Sequence, residues 1–98
     1  MNSGIYKYIS PTGKIYIGKT IDLKRRKQEY KRLQCTGQPK LYYSFCKYGY
    51  DNHIYEEIEC DLSDLLELEI KYKLEVINNL GWEYALFYKT HDEGGNEL

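Results

Sequence analysis

The sequence predicts an α+β domain: a three-stranded antiparallel sheet flanked by helices, in the order β-β-α-α-β-α. Three observations carry this. Two runs rich in β-branched and aromatic residues, Gly4 to Ile9 and Ile15 to Gly18, flank a turn containing Pro and Gly. Helical spacing of apolar residues then governs two stretches, Asp22 to Gln34 and Lys40 to Tyr48, joined by a loop at residues 36–40. A third strand-like run, Ile54 to Cys60, precedes a long helical segment that stops at Gly81. A chain of 98 residues makes one domain, and its 42% apolar and 30% charged residues are ordinary for a globular protein. Mean hydropathy is -0.70, and no apolar run approaches the ~18 residues of a membrane span. The N-terminus lacks a basic segment followed by an apolar one, so an intracellular location is expected. Cys35, Cys46 and Cys60 form no CxxC and have no nearby histidine, which argues against a disulfide framework or a zinc site.

In the hairpin, Ser10-Pro11-Thr12-Gly13-Lys14 is the turn. Setting Ile9 opposite Ile15 puts Tyr8 opposite Tyr16 and Tyr6 on their diagonal, all on one face. Ile5, Ile9, Ile15 and Ile17 take the other face, so one side is aliphatic and the other is a cluster of phenols. Asp22 is the expected N-cap of a helix LKRRKQEYKRLQ whose inward line is Leu23, Arg26, Tyr30 and Leu33. Lys40 to Tyr48 makes a short helix with Leu41, Phe45 and Tyr48 inward, ended by Gly49. The long helix begins at Asp61 or Ser63, runs to about Asn79 and presents a stripe of Leu62, Leu65, Leu66, Val76, Ile77 and Leu80. Glu69 falls within that stripe. A carboxylate there must be paired, hydrogen-bonded or metal-bound, and Lys73 one turn on is the obvious partner. His53 and His91 read as isolated surface histidines.

The overall charge of -1 conceals a division. Residues 1–50 carry eleven Lys/Arg against two Asp/Glu, and residues 51–98 carry three Lys against thirteen Asp/Glu. Such halves either neutralise each other through surface ion pairs or give the molecule a positive and a negative face, the positive one attracting polyanions. The chain also holds 12 Tyr against 2 Phe and 1 Trp, so its aromatic is the one with a hydroxyl.

Gly4-Ile5-Tyr6 followed by Tyr16-Ile17-Gly18 resembles the paired signatures of the GIY-YIG nuclease superfamily. KTIDLKRRKQEY is similar to that family's first helix, SFCKYG to the end of its second and LLELEIKY to its third. The likeness spans roughly residues 3–83 and is strongest to the catalytic domains of phage and intron-type homing endonucleases. It implies a GIY-YIG nuclease-like domain over residues 1–90, with 91–98 a polar, Gly-rich tail or the start of a linker. The implied activity is divalent-metal-dependent hydrolysis of DNA phosphodiester bonds, one strand per active site, with little sequence preference. Dimerisation on DNA and a separate DNA-binding part beyond Leu98 fit the same resemblance.

The resemblance also assigns roles. Glu69 ligates one Mg²⁺ or Mn²⁺, an oxygen-seeking ion that keeps several waters. Arg26 grips the scissile phosphate through its planar fork. Tyr6 is the candidate general base, with Tyr16 beside it. A phenol's pKa is about 10, so such a base needs a neighbouring cation, for which Lys14 is one candidate. Tyr30 stands where homing members carry histidine, and some restriction-type members carry tyrosine there. Glu83 replaces an asparagine found in many members, and a carboxylate there implies a second metal contact, repulsion of the phosphate or a site that has lost activity. Lys7, Lys14, Lys19, Lys24, Arg25, Lys27, Lys31 and Arg32 are the expected contacts to DNA. The alternatives are a catalytically impaired DNA-binding or assembly module that retains the fold, and a tyrosine-rich interaction domain.

Overall fold

The structure, a computed structural model, describes residues 2–87. β1 (Gly4–Ile9) is the central strand, between β2 (Ile15–Thr20) and β3 (Ile54–Glu59), and both pairings are antiparallel. The expected register holds, with Ile9 opposite Ile15, Tyr8 opposite Tyr16 and Tyr6 opposite Gly18. Ser10 fixes the hairpin three ways. Its N–H donates to the Lys14 carbonyl (2.8 Å), its carbonyl accepts from Gly13 N–H (2.9 Å) and its hydroxyl accepts from Lys14 N–H (3.1 Å). The expected tail, 91–98, lies outside the described residues.

Alternation along β1 sends side chains into two separate cores. Tyr6 and Tyr8 pack with Leu23 and Tyr30 of α1 (Leu23–Lys31), with Cys35, and with Leu41 and Phe45 of α2 (Pro39–Tyr48). Ile5 and Ile17 pack on the other side with Leu65 and Val76 of α3 (Leu65–Leu80), and with Ala85. The phenol face is therefore a helix-covered core, with Tyr8 and Tyr30 fully buried. The main chain at Ala85 joins β2 through Leu86 N–H to the Ile15 carbonyl, 2.8 Å.

α1 begins as expected, the Asp22 carboxylate accepting from Arg25 N–H at 3.1 Å. It ends early, at Lys31. Leu33 has φ 60, its N–H bonds the Tyr30 carbonyl, and Gln34 N–H bonds the Glu29 carbonyl. This is the closure usually built on glycine, so Leu33 leaves the inward line and is exposed. The start of α3 differs too: a 3₁₀ turn, Leu62–Asp64, leads directly into the helix without a side-chain cap from Asp61, Ser63 or Asp64. Its inward line is Leu65, Leu68, Tyr72 and Val76, while Leu62, Leu66 and Leu80 are exposed. The helix is apolar around much of its circumference, and its packing on β2 selects the buried side.

His53 is a further correction, for it is buried. Its Nδ1–H donates to the Gly49 carbonyl (2.8 Å), which leaves Nε2 to accept from the Ser44 hydroxyl (2.7 Å). Burial lowers its pKa from the usual value despite the bond to Gly49. The folded state therefore refuses a proton that the unfolded chain accepts near pH ~6.5. Stability should hold at neutral pH and fall as pH drops through that value. Urea midpoints at pH 7.5 and 5.5 should drop more for the wild type than for His53→Gln; an equal drop would remove His53 from the acid limb.

Candidate active site

Three tyrosines and one arginine converge where β1 meets β2. The Tyr6 and Tyr30 hydroxyls lie 2.5 Å apart. Tyr6 and Tyr16 stack with ring centroids 6.1 Å apart, and Tyr16 meets the Tyr30 ring edge-on at 6.3 Å. The Arg26 guanidinium carbon sits 4.7 Å from the Tyr30 ring centroid, and Nη1 donates to Glu29 Oε1 at 2.7 Å. The Tyr6 phenol also interacts electrostatically with Arg26. These are the residues that strand alternation and helical phase align.

Glycine makes this convergence possible. A Cβ at Gly18 would land on the Tyr6 phenol, on its terminal ring carbon and hydroxyl oxygen. The Tyr6 ring thus reaches the β2 edge of the sheet only because β2 carries no side chain there. A Cβ at Gly4 would collide with the Ile58 carbonyl and with Leu23 where α1 begins. Both tripeptide glycines are steric requirements of this packing.

The electrostatics follow from burial. Tyr30 has its pKa raised, first by loss of solvent and then by the Tyr16 and Tyr6 phenols, with Arg26 opposing. Tyr16 is raised by burial and by Tyr6, while its contacts with Tyr30 and Arg26 lower it. Burial disfavours the charge of Arg26, but Glu29 and then the Tyr6 and Tyr30 phenols hold its pKa above the ordinary arginine value. The cluster is a permanent cation beside two phenols, Tyr16 and Tyr30, that keep their protons. Tyr30, sealed from solvent, holds its neighbours in place. Tyr16 is half-buried, and the Arg26 side chain is 27% exposed, which gives the cluster its opening.

Glu69 approaches from α3, on the other face of the sheet. Its side chain is 12% exposed, with Oε1 3.0 Å from Lys19 Nζ and Oε2 3.2 Å from Lys73 Nζ. The Lys73 pair is the i,i+4 partner expected from the sequence. Lys19 directly follows Gly18, so adjacent residues of β2 hold the two halves of the site, Gly18 against Tyr6 and Lys19 against Glu69. Among the described residues, no group of three or more His, Cys, Asp or Glu is placed to hold a metal ion. Mg²⁺ bound through one carboxylate completes its shell with water and phosphate oxygens. Glu69 offers such an ion one carboxylate, whose two oxygens are paired with Lys19 and Lys73.

The remaining candidates scatter. Lys24, Lys27, Lys31 and Arg32 lie along the outer side of α1, and Lys27 Nζ lies 4.4 Å from the Tyr55 ring centroid. Arg25 shares Glu29 with Arg26, at 3.8 Å. Lys7 lies on the α3 face of β1 and pairs with Glu56 at 3.2 Å. Lys14 lines a separate groove with Lys40, Lys47 and Glu83, at the hairpin end. Neither Lys14 nor Glu83 therefore adjoins Glu69, from which Glu83 is separated by about 17 Å of helix. Sequence reading missed Glu29. Its spacing of three and four residues from Arg26 and Arg25 was the available signal. Two cross-half pairs, Lys7–Glu56 and Lys19–Glu69, show that the charge division is partly neutralised, while α1 keeps an exposed basic face.

No family model, curated protein or solved structure matches the chain. No helix among the described residues is long and apolar enough to cross a membrane.

Gly18→Ala should force Tyr6 out of its place and cost about 1–3 kcal/mol, as overpacking does. Gly37, where a Cβ meets nothing within 4 Å, is the control, and Gly37→Ala should stay within about 0.5 kcal/mol of wild type. Equal urea midpoints for the two variants would contradict the close approach of Tyr6 to β2.

Proposed function

We propose that this chain is a DNA endonuclease domain of GIY-YIG type, hydrolysing one phosphodiester strand per active site with Mg²⁺ or Mn²⁺. The observation that carries this reading is the Tyr6–Tyr16–Tyr30–Arg26 cluster, built over Gly18, with Glu69 held by the next residue of β2. A phosphodiester gains charge as water attacks, so catalysis requires fixed cations at its oxygens and an acceptor for the water's proton. Arg26 is half of that requirement: a fork held by Glu29 and set against the Tyr30 ring. Tyr6 would be the acceptor in its ionised form, its own proton first lost to solvent, with Tyr30 then donating to the phenolate oxygen and Arg26 balancing its charge. Tyr16, the more open phenol, flanks the path of the strand. Glu69 would hold the divalent ion, which would supply positive charge to the phosphate, and Lys19 and Lys73 would have to release the carboxylate for it to bind. The exposed α1 cations hold the flanking backbone, which carries no sequence information.

One observation favours a second reading, an impaired DNA-binding or assembly module: both oxygens of Glu69 are occupied by lysines. Plasmid nicking with and without Mg²⁺ separates the two. Glu69→Gln should abolish nicking and preserve DNA binding. Arg26→Ala should slow single-turnover cleavage by about 10²–10³-fold, as removal of one preorganised donor does. Lysine at 26 should rescue poorly, and Arg25→Ala should act chiefly on binding. Normal cleavage by Arg26→Ala, or no metal-dependent nicking by wild type, would sink the endonuclease reading.

Binding to duplex DNA should also weaken steeply with salt. Neutralising Lys24, Lys27 and Lys31 together should reduce the slope of log K against log salt by about 0.9 for each phosphate that the protein no longer neutralises. An unchanged slope would take α1 out of the DNA interface.

A further inference from the structure

The outer face of α3 has no role in the sheet packing or in the candidate site. Leu66 is 60% exposed, Ile70 49% and Leu74 51%. At steps of four residues these side chains form one ridge along the helix, and an exposed apolar ridge of this kind marks an interaction surface.

The residues around the ridge indicate what covers it. The segment Leu66 to Leu74 reads LELEIKYKL. It is symmetric about Ile70 in its apolar residues and antisymmetric in its charges, with two glutamates before the centre and two lysines after it. A two-fold axis through Ile70, perpendicular to the helix, pairs α3 with an antiparallel copy of itself. Leu66 then lies opposite the partner's Leu74, and Ile70 opposite the partner's Ile70. Such an isologous contact uses the same patch twice and closes on itself.

Charge selects the direction. Glu67 and Lys71 are exposed on one flank of the ridge. In the antiparallel pair each Glu67 comes within two residues, about 3 Å along the axis, of the partner's Lys71. That flank then carries two Glu67–Lys71 attractions against one Lys71–Lys71 repulsion. A parallel pair instead sets Glu67 beside the partner's Glu69 and Lys71 beside the partner's Lys73, two repulsions against one attraction between Lys71 and the partner's Glu69. Like charges so placed repel, so the pattern favours the antiparallel register.

We infer that the chain self-associates as a two-fold dimer through the outer face of α3, antiparallel about Ile70. This is independent of the nuclease reading, because it uses neither the tyrosine cluster nor a substrate. Sedimentation equilibrium of the full chain is the test, with circular dichroism confirming that each variant stays folded. Wild type should dimerise with concentration, and Ile70→Lys, on an exposed position, should lose the dimer. Glu67→Lys and Lys71→Glu should each weaken association, and combining them should restore it, since the swapped charges face each other again. A wild type that remains monomeric at every concentration overturns the inference. So does a dimer indifferent to these variants, or weakening by the single variants that the double variant fails to restore.

Discussion

The structure depends on one constraint: β1 is buried on both faces. A strand between two neighbours and two helical layers must supply a core with each face of its pleat, and period-two alternation makes the two supplies independent. β1 sends tyrosines one way and Ile5 the other. α1 and α2 are recruited to the tyrosines, α3 to the isoleucines. The candidate residues therefore divide between the two faces of β2, an edge strand. Gly18 lets a tyrosine reach that edge from one face, and Lys19 holds a glutamate from the other.

Much of this was legible because the sequence carries clean periods. Alternation in the hairpin fixed its register and its two faces. Helical phase placed Arg26 with Tyr30, and both meet Tyr6. What was not legible depends on tertiary choice. α3 has apolar residues on most of its surface, so periodicity alone could not separate Leu65 and Val76, which are buried, from Leu66 and Leu80, which are not. Leu33 ends α1 in a conformation usually given to glycine, so no stop signal marked the position. His53 carries no local sign that Ser44, nine residues earlier, would close over it. Lys73 was readable as a partner of Glu69 because it is one turn away. Lys19, fifty residues distant, was not.

The tyrosine-rich composition also has a physical account. A buried phenol must find a partner for its hydroxyl or bear the cost of desolvation. Tyr6 bonds Tyr30, Tyr8 bonds Tyr50 at 2.9 Å, and Tyr55 donates to Glu57. Among the described residues no buried side-chain nitrogen or oxygen lacks a partner. Phenylalanine would fill the same volume without specifying which ring meets which. A satisfied network of hydroxyls fixes those pairings, which a site made of side chains from separate elements requires.

Tyr6 and Tyr8 bring these points together. They are two residues apart on one strand, face the same core and carry the same group. Across β2, Tyr8 is opposite Tyr16 and Tyr6 is opposite Gly18. Tyr8 is sealed in, and its hydroxyl is satisfied within the core by Tyr50. Tyr6 extends over the glycine to the Tyr30 hydroxyl. The difference between Tyr8, confined to the core, and Tyr6, in the candidate cluster, therefore lies in the residue opposite each. A side chain at position 18 would deny Tyr6 that path across β2. The glycine is as much a determinant of the site as the tyrosine it admits.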